Sequence, residues 1–77
     1  MAELLRITPQ DNVAVALTAL SSGQTVTVDG IALTTVTDVP AGHKVALFPI
    51  KAGEKVIKYG FPIGYAKEDI PVGAHVH

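Results

Sequence analysis

The stretch Val39-Pro40-Ala41-Gly42-His43-Lys44-Val45 contains the pattern that decides the fold of this 77-residue chain. Pro at its second position presets φ for a type I turn, and Gly two positions later can take the positive φ that leads back into a strand. The pattern occurs three more times, as Leu20-Ser21-Ser22-Gly23-Gln24-Thr25-Val26, Ile50-Lys51-Ala52-Gly53-Glu54-Lys55-Val56 and Ile70-Pro71-Val72-Gly73-Ala74-His75-Val76. We therefore expect a small β domain in which the first apolar residue and the closing Val anchor each turn to a common interior.

The segments between these turns alternate apolar and polar residues, which is typical of strands with one buried face. Asp29-Gly30 stands between two such segments and is a strong signal for a hairpin that joins Thr25–Val28 to Ile31–Thr35. The sequence predicts further strands at Val13–Leu17, His43–Phe48, Glu54–Lys58 and Ala74–His77.

Two segments do not alternate. Residues 59–64 contain two Gly and a Pro, so we predict an ordered loop that crosses the core. Near residues 66–70 the sequence allows at most a helical turn, which Pro71 would end. The prediction is an all-β fold with short, kinked strands, in which residues 1–77 form a single domain.

Composition narrows the possible functions. Apolar residues make up 48% of the chain, which argues against disorder, and cysteine is absent, which excludes disulfides and thiolate metal sites. A net charge of −1 gives no electrostatic footprint for nucleic acid. No apolar run is long enough to span a membrane, and Met1-Ala2-Glu3 does not begin a signal peptide, so we expect a cytoplasmic location. A domain this small is marginally stable alone, so we expect a partner or a fused neighbour, or else a homo-oligomer.

Two long segments carry a resemblance to a known family. Residues 38–47 read Asp-Val-Pro-Ala-Gly-His-Lys-Val-Ala-Leu, and residues 53–64 read Gly-Glu-Lys-Val-Ile-Lys-Tyr-Gly-Phe-Pro-Ile-Gly. Together with residues 9–16 and 70–77, they resemble the SAF domain of altronate and galactarate dehydratases. The likeness extends from about Leu5 to His77, and the Lys-Tyr-Gly-x-Pro-Ile-Gly core is its most specific part.

The resemblance implies a β-clip fold, related to type III antifreeze-like domains, and a large catalytic domain or subunit as partner. It also implies a sugar-acid substrate from which the enzyme eliminates water, and altronate is the first candidate. We therefore expect either a small subunit or a domain of a longer enzyme, without activity of its own. Sulfolactate sulfo-lyase, which eliminates sulfite, remains an alternative from the same class. A stand-alone binding or interaction module without catalysis is the alternative from another class.

Histidines are the candidate metal ligands and the candidate acid–base group. His75 and His77 lie two apart in a predicted strand, so both imidazoles share one face and can bind one divalent metal ion. We expect Fe²⁺ or Mn²⁺, with the remaining ligands supplied by the large domain or subunit. His43 is the candidate acid–base residue, because an imidazole titrates near neutral pH. For each histidine the alternative is a solvated surface residue.

Four further residues are candidates for substrate binding: Lys44, Lys58, Tyr59 and Gly60. A sugar acid presents a carboxylate and several hydroxyls, so its site needs a cation, hydroxyl partners and close backbone approach. Lys58 and Tyr59 can instead be a solvated cation and a core aromatic residue. For Asp11-Asn12 we favour an ordinary turn over metal or substrate contact. For Asp38 and Asp69, which precede the two Pro-containing patterns, we favour capping of the turns.

Overall fold

All regular structure in residues 3–76, the part of the chain that the computed structural model describes, is β-structure. The strands are β1 (Leu4–Leu5), β2 (Val13–Ala16), β3 (Thr25–Val28), β4 (Ile31–Thr34), β5 (Lys44–Ala46), β6 (Lys55–Lys58), β7 (Phe61–Tyr65) and β8 (His75–Val76). The predicted all-β class is confirmed. Across these residues no helix is present that could cross a membrane.

Four of the strands form a central antiparallel sheet in the order β1-β2-β5-β8. In its middle, Val13 of β2 pairs with Ala46 of β5, and at the other end of β5 Lys44 pairs with Val15. β5 is therefore flanked on both sides, by β2 and by the short strand β8.

Two hairpins extend from this sheet, and both turn through a type I′ pair of residues with positive φ. Asp29 (φ 49°) and Gly30 (φ 76°) join β3 to β4, as predicted, and Tyr59 (φ 56°) and Gly60 (φ 77°) join β6 to β7. Positive φ at both central positions matches the twist of the flanking strands, which is why this turn closes short hairpins.

The second hairpin overturns the prediction for residues 59–64. They do not form a loop across the core, because residues 61–64 belong to β7, whose five residues are all exposed. The loop prediction failed because β7 is an edge strand, and an edge strand tolerates Pro. Among the described strands, β7 pairs with β6 alone. β7 also contains a β-bulge. Ile57 pairs with Pro62 and Val56 pairs with Gly64, so Ile63 between them is an extra residue without a partner on β6.

Residues 66–70 form no helical turn. The Ala66 N–H donates to the Glu54 carbonyl (2.9 Å), and Ile70 exchanges two backbone hydrogen bonds with Ile50 (2.7 and 2.8 Å). These bonds hold both ends of the segment against the residues around the third turn, and the chain between them only bends.

The four repeated turns associate in pairs, and this makes the chain an internal repeat. Leu20 bridges to Val39 and Ile50 bridges to Ile70. Each pair is held by an aspartate that accepts a backbone hydrogen bond from the earlier turn, Asp38 from Ser22 N–H and Asp69 from Ala52 N–H, both at 2.9 Å. The predicted turn-capping role of these two aspartates is confirmed.

The apolar anchors of the turns do not share one interior, contrary to expectation. The first two turns contribute to one cluster and the last two to another, because each pair closes over its own hairpin. The first cluster contains Leu4, Ala14, Ala16, Leu20, Val26, Val28, Leu33, Val39, Val45 and Leu47. The second contains Val13, Ala46, Ile50, Val56, Ala66 and Val76, with Ile70 packed against it. Adjacent residues of β5, Val45 and Ala46, belong to different clusters, so this strand is common to both.

Candidate functional site

Two histidines that are distant in the sequence meet at one end of the central sheet. The Nδ1 atom of His43 lies 2.9 Å from the Nε2 atom of His75, within hydrogen-bond distance. The ring centroids are 4.9 Å apart, and the ring planes are inclined by 47°. In this contact one ring nitrogen donates its proton to the lone pair of the other, so the pair can hold and exchange a proton.

The register of β5 and β8 explains why these rings meet. His75 pairs with Val45, and His43 lies two residues before Val45, so the two histidines are diagonal neighbours on the same face. Lys44 pairs with Val76 and therefore lies on the other face. The structure thus brings His43 and His75 together and places Lys44 away from them.

The backbone around His75 is fixed by the loop that follows β4. The His75 N–H donates to Thr37 Oγ1 (3.0 Å), and the Val36 N–H donates to the Gly73 carbonyl (3.0 Å). A Cβ atom at Gly73 would collide with the Thr34 carbonyl oxygen, so only glycine permits this approach. Sequence reasoning missed Thr37, since nothing local indicates that its hydroxyl reaches a strand so far along the chain.

The contact between His43 and His75 is that of a hydrogen bond, in which one ring nitrogen is directed at the lone pair of the other across 2.9 Å. Two ligands of one metal ion must instead direct both lone pairs at the ion, so a metal ion bound by both histidines would replace this hydrogen bond. Within residues 3–76 no group of three or more His, Cys, Asp or Glu side chains is arranged to hold a metal ion. The predicted ligand His77 lies outside the described residues.

A groove of about 400 Å³ opens beside His75. Buried apolar residues line its floor, among them Val56, Ala66 and Val76, while Tyr65 and Lys67 lie at its exposed rim. The groove extends from His75 to Val56 and Tyr65 of the second hairpin.

The other predicted residues, Lys58, Tyr59 and Gly60, lie at the tip of that hairpin. The Lys58 Nζ atom lies 4.8 Å from the centroid of the Tyr59 ring, a cation–π contact within the turn. The Gly60 N–H, which we expected to approach substrate, donates to Asp11 Oδ1 at 2.7 Å. These contacts join the turn to the segment before Val13, whereas His43 lies at the opposite end of the β2–β5 pair. The expected common rim of the histidines and this turn is therefore not supported.

Asp11 is the partner that holds this turn, and it is 2% exposed. Its carboxylate accepts hydrogen bonds from the N–H groups of Ile7 and Thr8 (both 3.2 Å), from Thr8 Oγ1 (2.8 Å) and from Gly60 N–H. Burial alone would raise the pKa of Asp11, but the hydrogen bonds from Gly60 and Thr8 outweigh it and lower the pKa from 3.8 to about 2. The turn role of Asp11 is confirmed, and its long-range contact with Gly60 was missed.

Asn12 likewise connects the early segment to the second hairpin. Its side-chain amide accepts from Ile57 N–H (2.7 Å) and donates to the Lys55 carbonyl (2.9 Å). Asp11 and Asn12 are therefore structural residues that position β6 and β7.

Comparison with known proteins agrees with this architecture. Residues 2–77 match the family described as the altronate/galactarate dehydratase SAF domain. The chain belongs to this family. The expected resemblance is thereby confirmed.

The related proteins are mostly much longer than the SAF domain. The altronate dehydratase of Escherichia coli (strain K12) is 52% identical over 75 residues, which are 97% of this chain but 15% of the relative. The altronate dehydratase of Bacillus subtilis (strain 168) is 40% identical over 77 residues, 100% of this chain and 16% of the relative. The (2R)-sulfolactate sulfo-lyase subunit alpha of Paracoccus pantotrophus is 56% identical over 45 residues, 58% of this chain and 67% of that subunit. The SAF domain thus occurs both as a small part of a large dehydratase and in a short, separate subunit.

Proposed function

We propose that this chain is the substrate- and metal-recognition part of a cytoplasmic sugar-acid dehydratase. The enzyme removes water from a hexonate, and altronate is the first candidate substrate. The single observation that carries the proposal is the contact between His43 and His75, which joins two turns of the internal repeat at one end of the sheet. Family membership supplies the reaction class, because two relatives are named altronate dehydratase.

The elimination requires loss of the proton α to a carboxylate and departure of the β-hydroxyl. A divalent cation such as Fe²⁺ or Mn²⁺, when bound to the carboxylate, would disperse the negative charge that develops as the proton leaves. His43 and His75 would supply two ligands through Nδ1 and Nε2, giving up the proton that they share. The catalytic part would complete the set. Without that ion, the same pair can pass a proton between substrate and solvent, which is the acid–base role predicted for His43.

The remaining candidates take secondary roles in this proposal. Lys44 lies on the opposite face of β5 from the histidines, and Lys58, Tyr59 and Gly60 lie at the far hairpin tip. Their predicted contact with substrate therefore requires the catalytic part to bring substrate to more than one face of the domain.

Metal titration tests the role of the histidine pair. We expect the chain to bind Mn²⁺, and to bind it at least tenfold more weakly after His43→Ala or His75→Ala. His77→Ala tests the His75–His77 pair that the sequence predicts, and Thr27→Ala on the first hairpin is the control. Unchanged Mn²⁺ affinity in both His43→Ala and His75→Ala would refute the proposed site.

Enzyme activity is tested in a chimera in which this chain replaces the matching residues of the E. coli altronate dehydratase. We expect the chimera to dehydrate altronate, the isolated chain to show no turnover, and both histidine variants to lower kcat. Turnover by the isolated chain would overturn the division of labour proposed here.

Similarity to the sulfo-lyase subunit supports a second candidate, elimination of sulfite from sulfolactate. The chain matches most of that short subunit, as expected if it also acts as a separate polypeptide. Release of sulfite, measured in a mixture of this chain with the remaining sulfo-lyase subunit, distinguishes the two reactions.

A further inference from the structure

The internal repeat extends from the turns into the central sheet. The Gly42 N–H donates to the Ala16 carbonyl (2.7 Å), and the Gly73 N–H donates in the same way to the Ala46 carbonyl (2.8 Å). β8 therefore pairs with β5 as β5 pairs with β2. The first repeat unit contains the first hairpin and the second unit contains the second hairpin, so equivalent positions of the two units can be compared.

In the first unit, the segment that leads into β8 lies between β5 and residues 34–37, which end the first hairpin and follow it. Gly73 is bonded on both sides: its N–H donates to β5, and its carbonyl accepts from the Val36 N–H (3.0 Å). A side chain at this position would collide with the Thr34 carbonyl oxygen. The place beside the first hairpin is thus filled by an extended segment that contains glycine.

The groove beside β8 is the same place in the second unit, and the described chain leaves it open. The Gly53 N–H donates to the Ala66 carbonyl (2.8 Å) as the Gly23 N–H donates to the Thr35 carbonyl (2.7 Å), so Ala66 and Thr35 are equivalent. The equivalent of residues 34–37 is therefore the segment 65–68. All four of its residues line the groove, and so do both residues of β8.

The backbone at the groove has a donor where the filled place has one. Lys67 is equivalent to Val36, but within residues 3–76 its N–H makes no hydrogen bond. Ile70 at the groove is half-buried, whereas its equivalent Val39 is only 1% exposed. An added segment would therefore gain a backbone hydrogen bond and cover apolar surface.

We infer that the groove binds an extended, glycine-containing segment of the catalytic part of the enzyme, antiparallel to β8, as β8 lies beside β5. The identity of this partner rests on the proposed function. The match with this chain covers 15% of the E. coli altronate dehydratase, so most of that enzyme lies outside the SAF domain and can supply the segment. Addition of a strand to a sheet edge is a common mode of peptide recognition. The inference needs no free group on His75, whose N–H already donates to Thr37.

Two other occupants fit the groove less well. Its floor contains the buried apolar residues Val56, Ala66 and Val76, which offer few partners to the hydroxyls of a sugar acid. A second copy of the chain would have to supply an extended segment with glycine, but the segments at Gly42 and Gly73 are already bonded within their own fold.

Hydrogen exchange of the unsubstituted protein tests the inference at single amides. In the isolated chain, after correction for intrinsic rates, the Lys67 amide should exchange at least tenfold faster than the Val36 amide, because only Val36 donates to a carbonyl. In the E. coli chimera the Lys67 amide should slow at least tenfold, and the Val36 amide, the matched internal control, should keep its rate. Mass spectrometry with electron-transfer fragmentation resolves both amides.

Photo-crosslinking identifies the occupant. The group p-benzoylphenylalanine in place of Tyr65, at the rim of the groove, should crosslink to a glycine-containing peptide of the catalytic part of the chimera. The control is the same group in place of Phe61, which the pairing register puts on the other face of the second hairpin. It should not crosslink to that peptide. A crosslink from Tyr65 to a second copy would overturn the choice of the catalytic part and assign the groove to that copy.

A substitution that blocks the groove supplies a second readout. Glu68 is exposed, and within residues 3–76 its side chain makes no hydrogen bond or ion pair. It is equivalent to Thr37, whose hydroxyl reaches the segment in the filled place. We expect Glu68→Trp to restore fast exchange of the Lys67 amide in the chimera and to leave the unfolding midpoint of the isolated chain unchanged. Thr27→Trp, at an exposed position of the first hairpin, should leave both quantities unchanged.

The outcomes separate this inference from the proposed function. Fast exchange of the Lys67 amide in a chimera that dehydrates altronate would overturn the inference and leave the proposed function standing. Slow exchange in a chimera that acts on neither altronate nor galactarate would support the inference and count against the proposed function. Slowing of the Lys67 amide by altronate in the isolated chain would assign the groove to substrate instead.

Discussion

Asp11 shows how one buried side chain can join distant parts of a small β domain. Its carboxylate accepts three hydrogen bonds from Ile7 and Thr8 and a fourth from Gly60, at the tip of the second hairpin. Hydrogen bonds to a charged group are stronger than neutral ones, and all four donors are left unpaired if the carboxylate is lost. Asp11 therefore stabilises the turn whose positive-φ pair begins with Tyr59.

Replacement of Asp11 tests this role. We expect Asp11→Asn to lower the free energy of unfolding at pH 7 by about 1–3 kcal/mol. Asp29→Asn, an exposed carboxylate in the equivalent turn of the first hairpin, should change it by less than about 0.5 kcal/mol. Urea unfolding of the three proteins measures the difference, and equal effects of the two substitutions would contradict the role of Asp11.

The lowered pKa of Asp11 also predicts a pH dependence. The folded-state pKa of about 2 lies below the unfolded value of 3.8, so the stabilisation is fully present above about pH 4 and is lost as pH falls toward 2. The difference in unfolding free energy between parent and Asp11→Asn should therefore shrink between pH 4 and pH 2. A difference that stays constant over this range would show that the carboxylate charge is not the stabilising feature.

Gly73 and Gly42 form a matched pair that separates backbone strain from steric clash. Both have nearly the same positive φ, 84° and 83°, and occupy equivalent positions of the repeat. A Cβ atom at Gly42 meets open space, whereas one at Gly73 would collide with the Thr34 carbonyl. We expect Gly42→Ala to cost about 1–2 kcal/mol, and Gly73→Ala to cost clearly more and to disturb the His75 strand. Thermal unfolding checks the stability order, and similar costs for both would mean that the end of β4 at Thr34 moves freely.

At the scale of elements, the two hairpins show how one architecture accommodates two different turn sequences. Asp29-Gly30 is a favoured type I′ pair, and sequence alone located it. Tyr59-Gly60 adopts the same backbone conformation, although an aromatic residue is unfavourable at positive φ. Sequence reasoning failed at the second hairpin because Tyr, Pro and two Gly suggest a loop, whereas edge position, bulge and Asp11 together permit a strand.

This contrast predicts that Tyr59→Asn stabilises the isolated chain. Asn accepts positive φ more readily than Tyr, so the free energy of unfolding should rise by about 0.5–1 kcal/mol. The substitution also removes the cation–π contact between Lys58 and the Tyr59 ring. That contact is weak because the ring is exposed, so its loss offsets only part of the gain. Chemical denaturation measures the change, with Lys58→Ala as the control for the cation–π contact. A loss of stability in Tyr59→Asn that Lys58→Ala does not reproduce would show that the ring packs more firmly than its exposure indicates.

At the scale of the whole molecule, β5 connects the two apolar clusters. Val45 is buried in the first cluster and its neighbour Ala46 in the second. Because alternate faces of one short strand serve both clusters, neither can lose its packing without moving the strand that supports the other. We expect the two halves of the repeat to unfold together.

Tyrosine fluorescence can test this coupling, since both tyrosines, Tyr59 and Tyr65, lie in the second hairpin. Val45→Ala removes two buried methyl groups from the first cluster and should cost about 1–3 kcal/mol. Its effect should appear equally in tyrosine fluorescence, which reports the second half, and in circular dichroism, which reports the whole chain. A fluorescence transition left unchanged by Val45→Ala would show that the halves unfold independently.

The sequence by itself determined the features that depend on local chemistry. The repeated turns follow from the steric freedom of glycine, the first hairpin from Asp29-Gly30, and the all-β class from alternation; family membership follows from the motifs around residues 38–64. The tertiary structure alone decided which distant groups meet: His43 with His75, Asp11 with Gly60, and Thr37 with His75. It also decided that the turns close two clusters and that β7 lies at the surface. The physical reason is that contacts across strands depend on register, and a bulge of one residue, as at Ile63, changes which side chains face the core.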